Sequence, residues 1–327
     1  MNVRPLQPSE WPALQAVLAQ SFNVPPEAWD LHRARLGDEN VYVIEQDGNI
    51  LGGCVLFDMG QYWRGRSVPL GGIGGVGVAP HVRGKGVARA LMIGLFAALQ
   101  ERKIPVAGLY PATQRVYRSV GYEQSGERWC YQAPLAALSS VRQEVECVPV
   151  DPMDLAIRAR YRPAHGNLDR STAVWTRLGQ MSPGKRYAWL IGEDGYVILH
   201  HRSGEGYHWD LEVVDLCVPS APSARSLLAL MASHRSMATN LRWWGAATDP
   251  LLAHFPEPVW SVLVAQRWML RIVDVVGAFS GRGWPPGAQG ELHLAITDDL
   301  LPGNAGNFVL HVGRGGAQVE RGGEGRL

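Results

Sequence analysis

Apolar positions change their period several times along the chain. Trp11, Leu14, Val17 and Leu18 recur at helical spacing behind Ser9 as a cap, which predicts a helix with one face on a core. Val41-Tyr42-Val43-Ile44 then runs into Gln46-Asp47-Gly48-Asn49, and Ile50 to Phe57 returns as a second apolar run, the signal of a hairpin closed by a glycine turn. A strand, Val76 to Val78, ends at Ala79-Pro80. A glycine-bearing turn leads from there into Val87 to Lys103, where Val87, Leu91, Leu95 and Ala98 again keep helical spacing. Val106 to Leu109 reads as a short buried strand, and Pro111 to Val120 as a short helix closed by Gly121.

Leu135 to Val150 reads as a linker or a peripheral helix, and a domain boundary falls there. Residues 151 to about 262 repeat the earlier order weakly, with a helix at Leu155 to Tyr161, strands at Tyr187 to Ile191 and Tyr196 to His200, and a helix at Ala224 to Met231. From Trp268 to Leu327 the chain is strand-like, with glycine turns at Gly303 to Gly306 and Gly313 to Gly316. The length of 327 residues, at about 150 per domain, predicts two or three domains.

Composition narrows the function classes. Lys and Arg number 31 against 30 Asp and Glu, a net charge of +1, which disfavours a polyanion binder whose affinity comes from counterion release. With 46% hydrophobic and 19% charged residues there is ample material for ordinary cores. Cys54, Cys130, Cys147 and Cys217 have no metal-ligand or redox spacing and read as buried thiols in a reducing compartment. The first ten residues lack the apolar segment of a secretory signal. The longest apolar stretch, Leu91 to Leu99, is about half the ~18 residues that suggest a membrane span. A cytoplasmic location, with no membrane span and no nucleic-acid partner, is the expectation.

The tightest chemical signal is Arg83-Gly84-Lys85-Gly86-Val87-Ala88, between a strand and a long helix. Two glycines let successive backbone N–H groups converge, the helix terminus adds about half a positive charge, and Arg83 and Lys85 add full ones. Such a nest suits a diphosphate; the plainer reading is a glycine turn with solvated basic residues. A literal GxGxxG, Gly72 to Gly77, runs into a strand and Pro80 instead of opening a helix, so a dinucleotide site is not supported, and a bulged or closely approached strand is expected there. Gly84-Lys85 is followed by Gly86, which removes the phosphate-loop pattern of nucleotide hydrolases. His200 and His201 are adjacent in a strand and point to opposite faces, so no metal site is expected from them. The twelve tryptophans read as core and interface aromatics.

The stretch Val76-Gly77-Val78-Ala79-Pro80-His81-Val82-Arg83-Gly84-Lys85-Gly86-Val87-Ala88 resembles the strand, pyrophosphate loop and helix start of GCN5-related N-acetyltransferases, matching the loop pattern at Arg83, Gly86 and Ala88. Leu109 to Thr113 and Val116 to Tyr122 are similar to the segment carrying the catalytic tyrosine in the enhanced-intracellular-survival (Eis) branch. Trp268 to Asp274, with Asn304-Ala305-Gly306, is similar to its sterol-carrier-like end. The resemblance implies an α/β (α+β) chain of tandem acetyltransferase folds, mixed sheets flanked by helices. These would be an acetyl-CoA-binding domain at 1–134, a degenerate one at 135–264, and part of a sterol-carrier-like α+β domain at 265–327. In that branch a terminal carboxylate returns as general base; this sequence ends at Arg326-Leu327 in a strand-like stretch, either because the chain is truncated or because it departs from the branch, so the role is not carried to Leu327.

The residues then take implied roles. Gly84, Lys85, Gly86, Val87, Ala88 and Arg89, with Arg83, would hold the diphosphate; Val76, Gly77 and Val78 would bond the pantetheine and polarise the acetyl carbonyl; Ala112 and Thr113 would flank the cofactor. Tyr117, one turn beyond Thr113, would donate to the departing thiolate; the plainer alternative is a packed aromatic whose hydroxyl finds a backbone partner. The acceptor would be a small multi-amine of aminoglycoside or polyamine type, or a lysine side chain. Glu27, Asp30 and Asp58 are acidic residues that would attract such a cation, or ordinary surface charges. A homo-oligomer, trimer or hexamer, is the family-level expectation. A non-catalytic acyl-CoA or lipid binder is the alternative, and a nicotinamide-cofactor enzyme ranks far below both.

Overall fold

The computed structural model describes residues 1–180, 184–204, 207–313 and 316–324. The chain forms two compact units: residues 1–125, 163–173 and everything from Trp268 on make the first, and residues 126–162 and 174–267 the second.

The opening 125 residues carry β1 (Asn2–Pro5), α1 (Trp11–Phe22), α2 (Pro26–Leu36), β2 (Val41–Gln46), β3 (Asn49–Trp63), β4 (Arg66–Val78), α3 (Val87–Glu101), β5 (Val106–Leu109) and α4 (Gln114–Arg118). Helix α1 buries Trp11, Leu14 and Leu18, as their spacing predicts. Ser9 is not its cap: a 3-10 turn, Pro8–Glu10, comes first, and the Glu10 carboxylate accepts the Gln7 N–H at 2.9 Å while pairing with Arg4. Pro25 and Pro26 open α2, a helix the apolar spacing did not reveal because it buries only Trp29 and Leu36. The β2–β3 hairpin closes through Asp47 (φ 53°) and Gly48 (φ 79°), both left-handed as a two-residue turn requires. Strand β3 runs on to Trp63, beyond the expected end at Phe57, and a second hairpin turns at Arg64-Gly65 into β4. The sheet order is β1-β2-β3-β4-β5. Only β4 and β5 are parallel, so the chain needs a crossover, which α3 supplies. That helix buries Val87, Leu91, Met92, Leu95, Phe96 and Leu99 against Tyr42, Ile44 and Leu56. Each such side chain contributes about 1.5–3 kcal/mol.

The next elements are β6 (Glu123–Pro134), β7 (Cys147–Val150), α5 (Leu155–Arg160), β8 (Leu168–Asp169), α6 (Thr172–Gln180), β9 (Arg186–Ile191), β10 (Gly195–Ser203), β11 (Trp209–Cys217), α7 (Ala221–Ala232) and β12 (Ala238–Gly245). The two-residue β8 pairs with β3 in the first unit. In the second unit the order is β6-β12-β11-β10-β9-β7, with β11 and β12 parallel across α7. This repeats the β2-β3-β4-α3-β5 plan and explains the echo in the sequence. Leu135 to Val150 is more than a linker: Leu135 and Leu138 are fully buried in a 3-10 turn, and Cys147–Val150 is a strand. Of the four thiols expected to be buried, Cys54 and Cys130 are, while Cys147 and Cys217 are half-buried; all are free.

The chain then forms β13 (Ser261–Ile272), α8 (Val275–Gly281), β14 (Gly290–Ile296), β15 (Gly306–Gly313) and β16 (Gly316–Arg321). Met269 to Ile272 pair antiparallel with Leu109 to Val106 of β5, and β14-β15-β16 form a separate antiparallel sheet. A buried polar hub fastens this part. Asp298 accepts the Arg271 guanidinium at 2.7 Å, the Leu301 N–H at 3.0 Å and the Asn304 amide at 3.2 Å; Asn304 in turn accepts the Val275 N–H at 3.0 Å.

Candidate active site

Strand β4 is built to open. Its ladder to β5 covers only Leu70 to Gly72, so from Ile73 to Val78 it has β3 on one side and, among the described residues, no strand on the other. On the β3 side Gly53 faces Gly77 and Val55 faces Gly74, so Cys54 alone stands opposite Gly75 and Val76. This is a bulge, with Gly75 at φ +59° and a hypothetical Cβ there within 3.0 Å of the Trp29 ring. The GxGxxG run is therefore a bulged strand, as its context implied. Val76, Gly77 and Val78 lie at the open edge.

The chain leaves β4 through a 3-10 turn, Pro80–Val82, and enters α3 through Arg83 to Gly86. Gly84 (φ +78°) and Gly86 (φ +81°) are both left-handed with open space around them, so their glycines serve backbone conformation alone. Gly86 is the helix cap and offers no side chain. The first intrahelical bond is Ala90 N–H to Gly86 at 2.9 Å, which leaves the N–H groups of Val87, Ala88 and Arg89 without a protein partner among the described residues. An uncapped helix terminus with Lys85 and Arg89 beside it, neither in an ion pair among the described residues, has the donors and charge that suit an anion. Arg83 does something different from the free charge expected of it. Its Nε donates to the Val78 carbonyl at 3.0 Å and its Nη2 to Ser21 Oγ at 3.3 Å, so it ties the loop to the strand end.

Tyr117 sits on α4 and is 7% exposed. It shares one apolar cluster with Val87 and Cys54, against which Val76 and Val78 pack, and meets Tyr122 edge-on at 6.1 Å. The backbone partner that a purely packed tyrosine would have is absent among the described residues. Its hydroxyl is also not one of the sealed, unpartnered oxygens, whereas that of Tyr122 is. Burial, and then the neighbouring Cys54, push the Tyr117 phenol up to about 12, and burial pushes the Cys54 thiol up to about 12 as well. Tyr117 is thus a neutral donor throughout the physiological range, a weaker acid than a free phenol. Ala112 and Thr113 stand exposed on the connection before α4, with Thr113 at its cap position.

The acidic residues divide. Asp30 accepts from Trp11 Nε1 at 2.7 Å and Gln15 at 2.9 Å, so it fastens α2 to α1, and Asp58 pairs with Arg102 at 3.3 Å. Glu27 has no partner among the described residues. Sequence reasoning missed Trp29 against the bulge, Cys54 opposite it and the sealed Tyr122 hydroxyl; the positive φ of Gly75 was signalled only by the glycine run itself. Among the described residues no group of three His, Cys, Asp or Glu is placed to hold a metal ion, and no helix is long and apolar enough to cross a membrane.

A mixed sheet whose parallel pair splays beside a glycine loop and an uncapped helix defines an acyl-transfer fold of the GCN5-related type. Comparison with known proteins agrees. Acetyltransferase (GNAT) domain models match residues 2–125 and 166–272, and a sterol carrier protein domain model matches 275–327. A GCN5-related N-acetyltransferase from Anabaena variabilis is 34% identical, with a TM-score of 0.94 over 99% of this chain and 86% of that one. An uncharacterized N-acetyltransferase of Streptomyces griseus is 28% identical over 291 residues, 78% of this chain and 68% of the relative. Eis1 of Mycobacterium abscessus shares the fold at 21% identity, with a TM-score of 0.78 over 99% of this chain and 85% of that one. The chain belongs to the GCN5-related N-acetyltransferases, with two acetyltransferase domains followed by a sterol-carrier-like part.

Proposed function

We propose that the protein moves acetyl from acetyl-CoA to a primary amine, on a small multi-amine substrate of aminoglycoside or polyamine type or on a lysine side chain, by direct attack in a ternary complex. The observation that carries this reading is the uncapped terminus of α3 beside the open edge of β4, with the ring of Tyr117 buried in the same cluster and its hydroxyl neither sealed nor bonded to the protein among the described residues. Lys85, Arg89 and the N–H groups of Val87, Ala88 and Arg89 hold the diphosphate, with Gly84 and Gly86 giving the turn its shape. Arg83 keeps the loop against β4, and Ala112 and Thr113 flank the cofactor. The unpaired edge at Val76 to Val78 takes the pantetheine as an added strand would, and one of its N–H groups polarises the acetyl carbonyl.

Tyr117 then faces the leaving sulfur. A free thiol ionises near 8.5, roughly 3.5 units below this phenol, so a solvated thiolate accepts a hydrogen bond from Tyr117 but not its proton. A thiolate enclosed beside Tyr117 loses hydration, which raises its pKa above the free value and narrows the gap to the phenol as the sulfur departs. The acceptor amine, near 10.4 when free, must lose its proton before attack. The base is not assigned.

The test is acetyl-CoA-dependent thiol release by the purified chain against polyamines, aminoglycosides and lysine peptides. Release that requires an amine and saturates in both substrates supports a ternary-complex transferase. Saturable acetyl-CoA binding with no release for any amine supports the non-catalytic binder instead.

A further inference from the structure

The β3–β4 turn and the segment after α8 flank an open cavity of about 230 Å³ within the first unit and separate from the α3 loop. Its walls include Arg64, Arg66 and Trp284 with the glycines Gly283, Gly313 and Gly316, and no carboxylate lines it among the described residues. The side chains of Arg64 and Arg66 have no acidic partner among the described residues. A third guanidinium, Arg282, lies over the rings of Trp284 at 4.7 Å and Trp63 at 5.8 Å. Burial, and then the charge of Arg64, hold Arg282 below the usual guanidinium range, so Arg64 and Arg282 repel one another.

Arg64 occupies a left-handed turn position, φ +49°, where Asn, Asp or Gly is preferred. The surroundings enforce that conformation. Gly283 N–H donates to the Trp63 carbonyl at 2.9 Å, and a Cβ on Gly283 would collide with the Arg64 carbonyl; Arg64 N–H meets His165 Nδ1 at 3.3 Å. Across the cavity a Cβ on Gly316 would come within 3.0 Å of Arg66 Nη1, so the glycine admits the arginine.

We propose that this cavity is an anion site that takes the phosphate group of a small molecule. The guanidinium groups of Arg64 and Arg66 in its walls, with several N–H donors each, match a tetrahedral dianion with several acceptor oxygens better than a single planar carboxylate. The volume holds several waters' worth of ligand, at about 30 Å³ each, but falls below the ~300 Å³ typical of larger organic ligands.

The experiment is thermal melting and titration calorimetry of the full chain with inorganic phosphate, against chloride at matched ionic strength and against acetate. Wild type, Arg66→Gln, Arg64→Gln and Lys85→Ala are compared. Both arginine side chains are exposed, so their variants fold. Expected is saturable protection by phosphate in wild type and Lys85→Ala, weakened at least about tenfold in both arginine variants, with acetyl transfer unchanged in the latter. Protection equal to that of chloride, or matched by acetate, overturns the proposal. So does protection lost in Lys85→Ala and kept in Arg66→Gln, which would put the phosphate on the α3 loop.

Discussion

Replacing Tyr117 by Phe separates chemistry from packing at the proposed site. The ring is enclosed and meets Tyr122 edge-on, and Phe preserves both relations. The hydroxyl has no hydrogen-bond partner among the described residues, so its loss breaks nothing in the fold and removes a polar group from a largely apolar cluster. Stability should be unchanged or slightly higher. The effect on turnover follows from the acid strength: a phenol at about 12 stabilises a departing thiolate chiefly by a hydrogen bond to charge. Such a bond contributes about 1.5–3 kcal/mol, which converts to about a 10- to 150-fold loss in kcat. The bond forms as the sulfur gains charge, so KM for acetyl-CoA should move less than about twofold. Steady-state thiol release gives kcat and KM, and a thermal melt of the same preparations gives stability. A melting temperature that falls together with kcat, or a KM that rises in step with the loss of turnover, would show that Tyr117 packs the site and does not act in it.

Lys85→Gln should raise KM for acetyl-CoA about tenfold with little change in kcat, and should flatten its dependence on salt, because one unpaired cation leaves the cradle. Gly86→Ala meets no neighbour within 4 Å, yet at φ +81° it should lose about 1–2 kcal/mol through backbone strain alone, read as a lower urea midpoint. Arg271→Met should cost about 3–5 kcal/mol by stranding the Asp298 carboxylate, which is 5% exposed, and Arg271→Met with Asp298→Asn should recover part of it. Burial raises the Asp298 pKa, but hydrogen bonds from Arg271, Asn304 and Leu301 outweigh that and hold it below the usual carboxylate range. The hub therefore stabilises fully above about pH 4 and is lost as pH falls through the depressed value, so acid melts should show wild type converging on the double variant.

What the chain discloses unaided follows from which interactions are local. The loop from Arg83 to Gly86 and helix α3 are legible because glycine conformation, charge and helical spacing lie in contiguous residues. Tyr117 required the resemblance, since its unpartnered hydroxyl is a property of the assembled cluster. The run Gly72 to Gly77 was legible as a bulged or closely approached strand, but the packing that keeps its glycines and the neighbouring Gly71 small was not: a Cβ on Gly71 meets Leu99 Cδ2 at 2.5 Å, and one on Gly77 meets Leu18 Cδ2 at 2.8 Å. Chain order hides the rest. Trp129 to Pro134 of β6 pair with β12, and Met269 to Ile272 of β13 pair with β5, partners that lie more than a hundred residues away. Sequence boundaries at 134 and 264 take no account of such partners, because no local pattern encodes which distant strand an edge will accept.

The two crossover helices show why a shared fold does not carry a shared site. Both α3 and α7 leave one strand of a parallel pair and return to the other, and both begin beside an irregular ladder. At α7 the terminus satisfies itself. Ser220 Oγ accepts the Ser223 N–H at 3.3 Å, Ser223 Oγ accepts the Ser220 N–H at 3.2 Å, Pro222 has no N–H to offer, and Ser223 is wholly buried. No glycine or cation lies in the cap or first turn. At α3 every one of these is reversed: a glycine cap without a side chain, free N–H groups, two glycines in left-handed turns, and Lys85 and Arg89 alongside. A diphosphate gains donors at α3 and would have to displace serine hydroxyls at α7. The same difference runs the other way for stability, since the serine cap contributes roughly a few tenths of a kcal/mol that the glycine cap forgoes. Cofactor binding and stable folding thus make opposite demands on the first turn of the same helix. The proposed acetyl-CoA site lies at the terminus that leaves its donors free, that of α3.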